Sequence, residues 1–375
     1  MLSSAIDGSH RGPVRKAPLR NLYVRAAILN AVLTRDQVTA FAPGRVNLIG
    51  EHTDYNEGLA LPFAIADGVT VKARALEGAR IEAAALDLGE RDSFELGRPE
   101  RAQGWAAFVR GAVAELRAAA IPVRAASVEI TGTVPRGAGL SSSAALEVAL
   151  TLALIALTDI DRPDRTELAK LCSRIENKWV GAQTGLLDQL ASLYGEDGHA
   201  LRIDFRTLEV RPVPLELVGH KLVTLDSGEQ HATAASGYNE RRAECGRAAQ
   251  LLGLRSLRDA TLEMVGELPP PLDRRARHVV TANGRVDQAV AALREPDLGR
   301  LGRLLDEAHA SLRDDYDVST PAVEAAVGRL KEAGALGARI VGGGFGGHVL
   351  GLLPADARPP ESSVEVRPGP GARVL

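Results

Sequence analysis

The sequence predicts a two-domain protein that mixes strands and helices, and three observations carry that expectation. A chain of 375 residues is long enough for two hydrophobic cores, at most three. Its first half alternates β-prone runs with helical ones, whereas its second half has helical spacing until two strand-like runs near the end. Between the halves, Arg211-Pro212-Val213-Pro214 is the expected boundary or crossover. The division expected is a loose N-terminus over 1–18, a first domain over 19–210 and a second over 211–375.

Composition narrows the class. Charged residues make up 25% and hydrophobic residues 45%, the balance of an ordinary soluble protein. A net charge of -3 offers no general basic surface to nucleic acid or an anionic membrane. The two cysteines, Cys172 and Cys245, lack C-x-x-C spacing, which argues against a disulfide framework or structural zinc and fits a reducing cytoplasm. Arg11, Arg15, Lys16 and Arg20 stand in the first residues without an apolar segment, so no secretory signal is expected there. The most apolar run, Ala144 to Thr158, contains Glu147 and is too short to span a bilayer, so it reads as a buried helix.

Taken in order, residues 19–33 have the spacing of a helix, with Leu22, Val24, Ala27 and Val32 on one side. A strand over 37–41 is expected to stop at the turn signal Ala42-Pro43-Gly44. Strands follow over 69–76 and 80–86, then a helix over 105–119 whose Trp105, Phe108 and Val109 read as core rather than as a platform for a base. A strand over 126–131 feeds a glycine- and serine-rich loop and a helix over 143–158; the next helix, 163–180, has Pro163 in its first turn. Strands are expected over 200–205 and 221–226, and helices over 234–252, 273–293, 297–314 and 320–332. The cluster Glu240-Arg241-Arg242 reads as a solvated helix face.

The chemistry concentrates in loops. In Pro135-Arg136-Gly137-Ala138-Gly139-Leu140-Ser141-Ser142-Ser143-Ala144-Ala145, glycines free the backbone to aim N–H groups at one point, and the following helix adds free amides and its dipole. A phosphate cradle is the favoured reading, and serine hydroxyls there also suit Mg²⁺. The alternative, a turn at Gly139 with one capping serine, leaves two hydroxyls over, and no Glu or Gln completes a capping box. Between Arg45 and Gly58, Glu51, His52, Thr53, Asp54 and Asn56 form either a polyhydroxylated-ligand site or a solvated loop. Asp188, among flexible glycines, either caps a turn or acts. Gly342-Gly343-Gly344-Phe345-Gly346-Gly347 contains G-x-G-x-x-G, but a strand follows where a dinucleotide fold demands a helix. Its glycines suggest close approach to a ligand or to the first glycine loop. Neither a Walker lysine nor an H-R-D kinase loop occurs.

Residues 42–56, 137–144 and 342–347 resemble, in that order, the three signature motifs of the GHMP small-molecule kinases, and the first is similar to the version carried by galactokinases. The resemblance implies a two-domain α+β fold: an N-terminal mixed α/β domain and a C-terminal ferredoxin-like domain with the site in the cleft between them. It implies ATP-dependent phosphorylation of the C1 hydroxyl of D-galactose with Mg²⁺, the first kinase step of galactose catabolism. The alternatives are a 1-kinase for N-acetylgalactosamine, galacturonate or L-arabinose, and a catalytically silent sugar and ATP sensor. By the same resemblance Asp188 is the catalytic aspartate with Arg45 beside it. Glu51, His52 and Asp54, with Thr53 in their loop, Gly185 and Tyr238 bind the sugar. Gly137, Ala138, Gly139, Leu140, Ser141, Ser142 and Ser143 form the triphosphate loop, and Ser143 and Glu176 are the metal ligands. Departures from the pattern are Thr184, Ser227, Gly228 and His348. The expected partners are the sugar and ATP alone, with no nucleic acid and no membrane; a monomer is expected, a weak dimer being the alternative.

Overall fold

The computed structural model describes residues 35–134, 139–158, 160–229 and 234–375. The helix expected over 19–33, and Gly137 and Ala138 of the glycine loop, lie outside the described residues.

Strand β1 (Gln37–Asn47) lies inside a six-stranded sheet with β3 (Pro62–Ala75), β4 (Arg80–Ala85), β5 (Glu90–Glu95), β6 (Ala126–Gly132) and β13 (Arg373–Val374), in the order β13-β1-β3-β6-β4-β5. Only the β4–β6 pair is parallel. Two-residue alternation makes one face apolar: Val69, Val71 and Ala73 are buried while Lys72 and Arg74 are exposed. Onto that sheet pack helix α1 (Trp105–Ala118), α2 (Ser142–Ala156), α3 (Arg165–Ile175) and α4 (Leu187–Tyr194), enclosing the first core. Helix α2 is buried on nearly all sides, as its apolar run requires.

A three-stranded sheet, β2 (Leu59–Ala60), β7 (His199–Asp204) and β8 (Glu209–Pro214), leads to the second half. There an antiparallel sheet in the order β10 (Gly337–Ile340), β11 (His348–Pro354), β9 (His220–Asp226), β12 (Val364–Val366) is backed by helices. In chain order, with the short α6 (Leu262–Val265) among them, these are α5 (Ala234–Leu251), α7 (Leu272–Arg294), α8 (Leu298–Asp314) and α9 (Pro321–Glu332). Among the described residues no helix is long and apolar enough to cross a membrane.

Four expectations change. Strand β1 does not stop at Phe41; it continues through Ala42-Pro43-Gly44 with a register shift between Pro43 and Arg45, a bulge that absorbs the proline's missing N–H. The Arg211–Pro214 stretch is no linker. It is part of β8, at the edge of its sheet, where prolines cost no ladder bonds, and the expected 210/211 boundary falls inside that strand. Pro163 precedes its helix, whose N-cap is Asp164, accepting from the N–H groups of Thr166 and Glu167. Finally, Arg241 is buried, not solvated: its Nε donates to the Tyr316 carbonyl at 2.7 Å and its guanidinium meets Glu244 at 3.2 Å.

Candidate active site

The glycine-serine loop, the end of β1, the start of α4 and the last glycine run enclose one cleft of about 500 Å³. Their approach depends on Gly44, where an added Cβ would stand 2.5 Å from the Leu140 carbonyl. That carbonyl accepts the Arg45 N–H at 3.0 Å, while the Leu140 side chain turns into the core. Gly139 and Ser141 take left-handed conformations, φ 66° and 61°. Ser141, at the N-cap position of α2, makes no capping bond; its hydroxyl donates to Asp188 Oδ2 instead. Gly139, Ser141, Ser142 and Ser143 line the cleft at the amino end of a 15-residue helix, whose free amides and dipole favour an anion. The turn-and-cap alternative therefore does not describe this loop.

Asp188 stands in the first turn of α4, facing the end of β1. Arg45 Nε donates to Asp188 Oδ1 at 2.8 Å and a second guanidinium nitrogen reaches the same oxygen at 2.7 Å. The remaining one donates to the Gly139 carbonyl at 2.6 Å. One arginine thus ties an acid to the phosphate-loop backbone, and both side chains face the cleft.

On the far side of the loop, Ser143 Oγ donates to Glu176 Oε1 at 3.0 Å, and Thr184 Oγ1 to Oε2 at 2.6 Å. Gln189, buried, donates to Glu176 at 3.2 Å and to Glu147 at 3.1 Å. Burial, followed by the Asp188 charge, pushes the Glu176 carboxyl above its ordinary value, and burial pushes Glu147 well above. Among the described residues no three His, Cys, Asp or Glu side chains gather to hold a metal. The expected pair, Ser143 and Glu176, offers a cation one hydroxyl and one carboxylate. That donor set fits Mg²⁺, which fills its other octahedral positions with phosphate oxygens and water.

The opposite wall carries Glu51, His52, Asp54, Gly185 and Tyr238. Glu51 pairs at 2.5 Å with Arg339, which is fully buried, and accepts the Gly342 N–H at 3.0 Å and a bond from Asn47. Burial raises its carboxyl against the opposing pull of Arg339. Asp54 is pushed up to about 6, by burial first and the Asp188 charge second. A Cβ at Gly185 would collide with the Asp54 carboxylate, so any side chain there would push that carboxylate out of its place in the wall. Tyr238 lies 5.2 Å from the His52 ring, centre to centre. Both His52 nitrogens are engaged, Nδ1 with the Tyr55 hydroxyl at 2.7 Å and Nε2 with the Gly343 carbonyl at 3.2 Å.

One expected contact is corrected. Thr53 is not in the cleft wall: it is fully buried, and its hydroxyl is held by the carbonyls of Gly50 at 2.9 Å and Leu59 at 2.8 Å. It shapes the loop. Trp105 also lies away from the cleft, donating to Glu90 at 2.5 Å.

The GHMP kinases N terminal domain pattern matches residues 107–196, the GHMP kinases C terminal pattern residues 289–363, and the galactokinase galactose-binding signature residues 31–75. Over 323 residues the chain is 44% identical to a galactokinase of Roseiflexus sp. (strain RS-1), covering 83% of this chain and 82% of that one. Its identity to a galactokinase of Mycobacterium tuberculosis (strain ATCC 25618 / H37Rv) is 46% over 323 residues, covering 84% and 88%. The chain belongs to the galactokinase family of GHMP kinases. The crystal structure of Lactococcus lactis galactokinase complexed with galactose superposes with a TM-score of 0.85 at 32% identity, covering 95% of this chain and all of that one (100%).

Within this galactokinase-family chain, one departure in sequence, Thr184, lines the cleft, and none of them replaces a charged group of the site. Thr184 supports Glu176, and Gly228 closes a turn by donating its N–H to Asp226 at 2.9 Å. Arg339 and Asn47, which fix Glu51, were not singled out in the sequence. The signal for Arg339 is a lone charge in the apolar run Ala338-Arg339-Ile340-Val341, because an isolated charge inside a buried strand needs a partner.

Proposed function

We propose that the chain transfers the γ-phosphoryl group of ATP to the C1 hydroxyl of D-galactose. The carrying observation is the Arg45–Asp188 pair, set in one cleft between the hydroxyl-lined end of α2 and a wall of two carboxylates and a tyrosine. Asp188 would orient the C1 hydroxyl; its oxygen attacks the γ-phosphorus, the bond to the bridging oxygen breaks, and ADP leaves. Beside the Arg45 guanidinium, Asp188 takes the proton late, when the new P–O bond has already acidified the hydroxyl. The same guanidinium offsets charge on the transferring group. Gly139 and Ser141 to Ser143 would hold the phosphates, and Ser143 and Glu176 would hold Mg²⁺. When bound, that ion neutralises charge on the phosphate oxygens. Glu51, Asp54 and Tyr238 would receive sugar hydroxyls, carboxylates taking the donor side. Two buried free thiols, Cys172 and Cys245, support a reducing compartment.

The test is ADP release from MgATP with D-galactose, D-glucose, N-acetylgalactosamine, L-arabinose, galacturonate and mevalonate offered in turn. Turnover confined to galactose supports the proposal. Preference for another sugar moves the question to the Asp54 and Tyr238 wall, and thermal stabilisation by galactose without turnover means a sensor.

Asp54 gives a pH dependence of known sign. Its carboxyl is raised to about 6, and a hydroxyl donor binds the ionised form, so galactose affinity should fall as pH drops through that value. Calorimetric titration from about pH 8 to about pH 5 should show up to roughly tenfold weakening per unit at the acid end. The Asp54→Asn variant should lack that slope, and a flat wild-type profile removes Asp54 from sugar binding. Stability responds oppositely, because a raised carboxyl stabilises the fold only below its folded value and loses that contribution as pH rises through about 6.

A further inference from the structure

Behind the sugar wall, four side chains that phosphoryl transfer does not use stand in line. The Tyr55 hydroxyl is 2.7 Å from His52 Nδ1 and 2.9 Å from the Tyr316 hydroxyl, which is 3.0 Å from Cys245 Sγ. At the other end, His52 Nε2 is 3.2 Å from the Gly343 carbonyl. His52, Tyr316 and Cys245 are buried.

The direction of every bond follows from that carbonyl. A carbonyl only accepts, so Nε2 carries a hydrogen. The ring is neutral, since burial pushes its pKa down to about 3, and Nδ1 therefore presents a lone pair to the Tyr55 O–H. Tyr55, its hydrogen spent, accepts from Tyr316; Tyr316, likewise spent, accepts from the Cys245 S–H. Each group donates once along the chain.

His52 consequently has no ring nitrogen left for a sugar hydroxyl, although it stands in the cleft wall. What it does hold is the glycine turn. Glu51 takes the N–H of Gly342 at 3.0 Å while His52 donates to the carbonyl of Gly343, so consecutive residues of the first motif grip consecutive residues of the third. The turn needs that grip: Gly342 and Gly344 are left-handed, φ 77° and 78°, and glycine is the residue with most freedom to leave such a conformation.

We propose that His52 is a positioning residue, the terminus of a one-way hydrogen-bond chain Cys245→Tyr316→Tyr55→His52→Gly343 that seats the glycine turn and, through Gly342, aims the Glu51 carboxylate at the sugar. The assignment of effect rests on the galactose-kinase reading; the assignment of hydrogens does not. Nitrogen NMR of the histidine-labelled protein tests the hydrogens directly. His52 should appear as the neutral Nε2–H tautomer at neutral pH, and an Nδ1–H tautomer or a charged ring overturns the chain. Kinetics test the effect. Tyr55→Phe keeps the ring and removes the link, and should raise the galactose KM roughly tenfold, the loss of one buried hydrogen bond, with kcat and the ATP KM within about twofold. Cys245→Ser, which keeps a donor, should match wild type, whereas Cys245→Ala should shift the galactose KM in the direction of Tyr55→Phe. An unchanged galactose KM in Tyr55→Phe, or serine and alanine variants that behave alike, overturns the positioning role. Wild-type protein that shows the expected tautomer but no turnover of galactose refutes the substrate and leaves the chain of bonds standing.

Discussion

Asp188→Asn should lower kcat by about a thousandfold, the middle of the range for removing one proton-accepting group from a transition state, while the protein still binds galactose. The size of the effect follows from what surrounds the carboxylate. Arg45 donates twice to Oδ1, and Ser141 donates to Oδ2, so three hydrogens already fix the group, and asparagine can keep its place in α4. What asparagine lacks is a site for the C1 proton and the charge that holds Arg45 over the transferring phosphoryl group. Its NH₂ would also meet either Arg45 or Ser141, breaking one of those bonds. The loss should therefore appear in kcat, with the galactose KM changed far less, and galactose should still raise the melting temperature. Single-turnover phosphorylation and a galactose thermal shift measured on the same preparation decide it. A loss of less than about tenfold would mean that positioning by the rest of the cleft supplies the rate, and Asp188 would keep only an orienting part.

The sequence makes legible those features that depend on local spacing. Helices α1, α2, α7 and α8, and strands β4, β6 and β9, lie within a residue or two of their expected limits, because each carries either a regular apolar spacing or an unbroken apolar run. The glycine loop is also local: left-handed turns need glycine or a strained residue, and its three serines reach the cleft as a consequence of the helix start. Features settled by partners distant in the chain are not legible in this way. Strand β5 (Glu90–Glu95) is charge-rich and owes its existence to pairing with β4, which no local period announces. Arg241 looks like part of a solvated face and is drawn inward by the Tyr316 carbonyl, 75 residues away. Thr53 sits between three acidic and basic neighbours in a loop read as ligand-facing, yet its hydroxyl is taken up by two backbone carbonyls. Pro43 and Pro212 read as breaks, and each is instead accommodated within a strand, at a bulge and at a sheet edge.

Arg339→Met should destabilise the fold by about 3–5 kcal/mol, the cost of leaving one charge of a buried pair without its partner. Arg339 is fully buried on β10, and besides Glu51 it donates to the carbonyls of Asn47 at 3.0 Å and Leu48 at 2.9 Å. It therefore bolts the end of β1 and the sugar loop to the second sheet. Methionine has similar length and no charge, so the packing loss is small and the electrostatic loss dominates. Adding Glu51→Gln removes the stranded charge, and the double variant should regain part of the stability in chemical denaturation. It should not regain galactose affinity, because the amide presents fewer acceptor sites to hydroxyls and is no longer fixed by a guanidinium. The two readouts thus separate the roles: stability follows the balance of charge, while sugar binding follows the carboxylate. A single variant as stable as wild type would show that water reaches Glu51 and neutralises the cost. A double variant less stable than the single one would show that Arg339 acts mainly through the Asn47 and Leu48 carbonyls, and the pair with Glu51 would lose its place as the link between the sugar wall and the glycine turn.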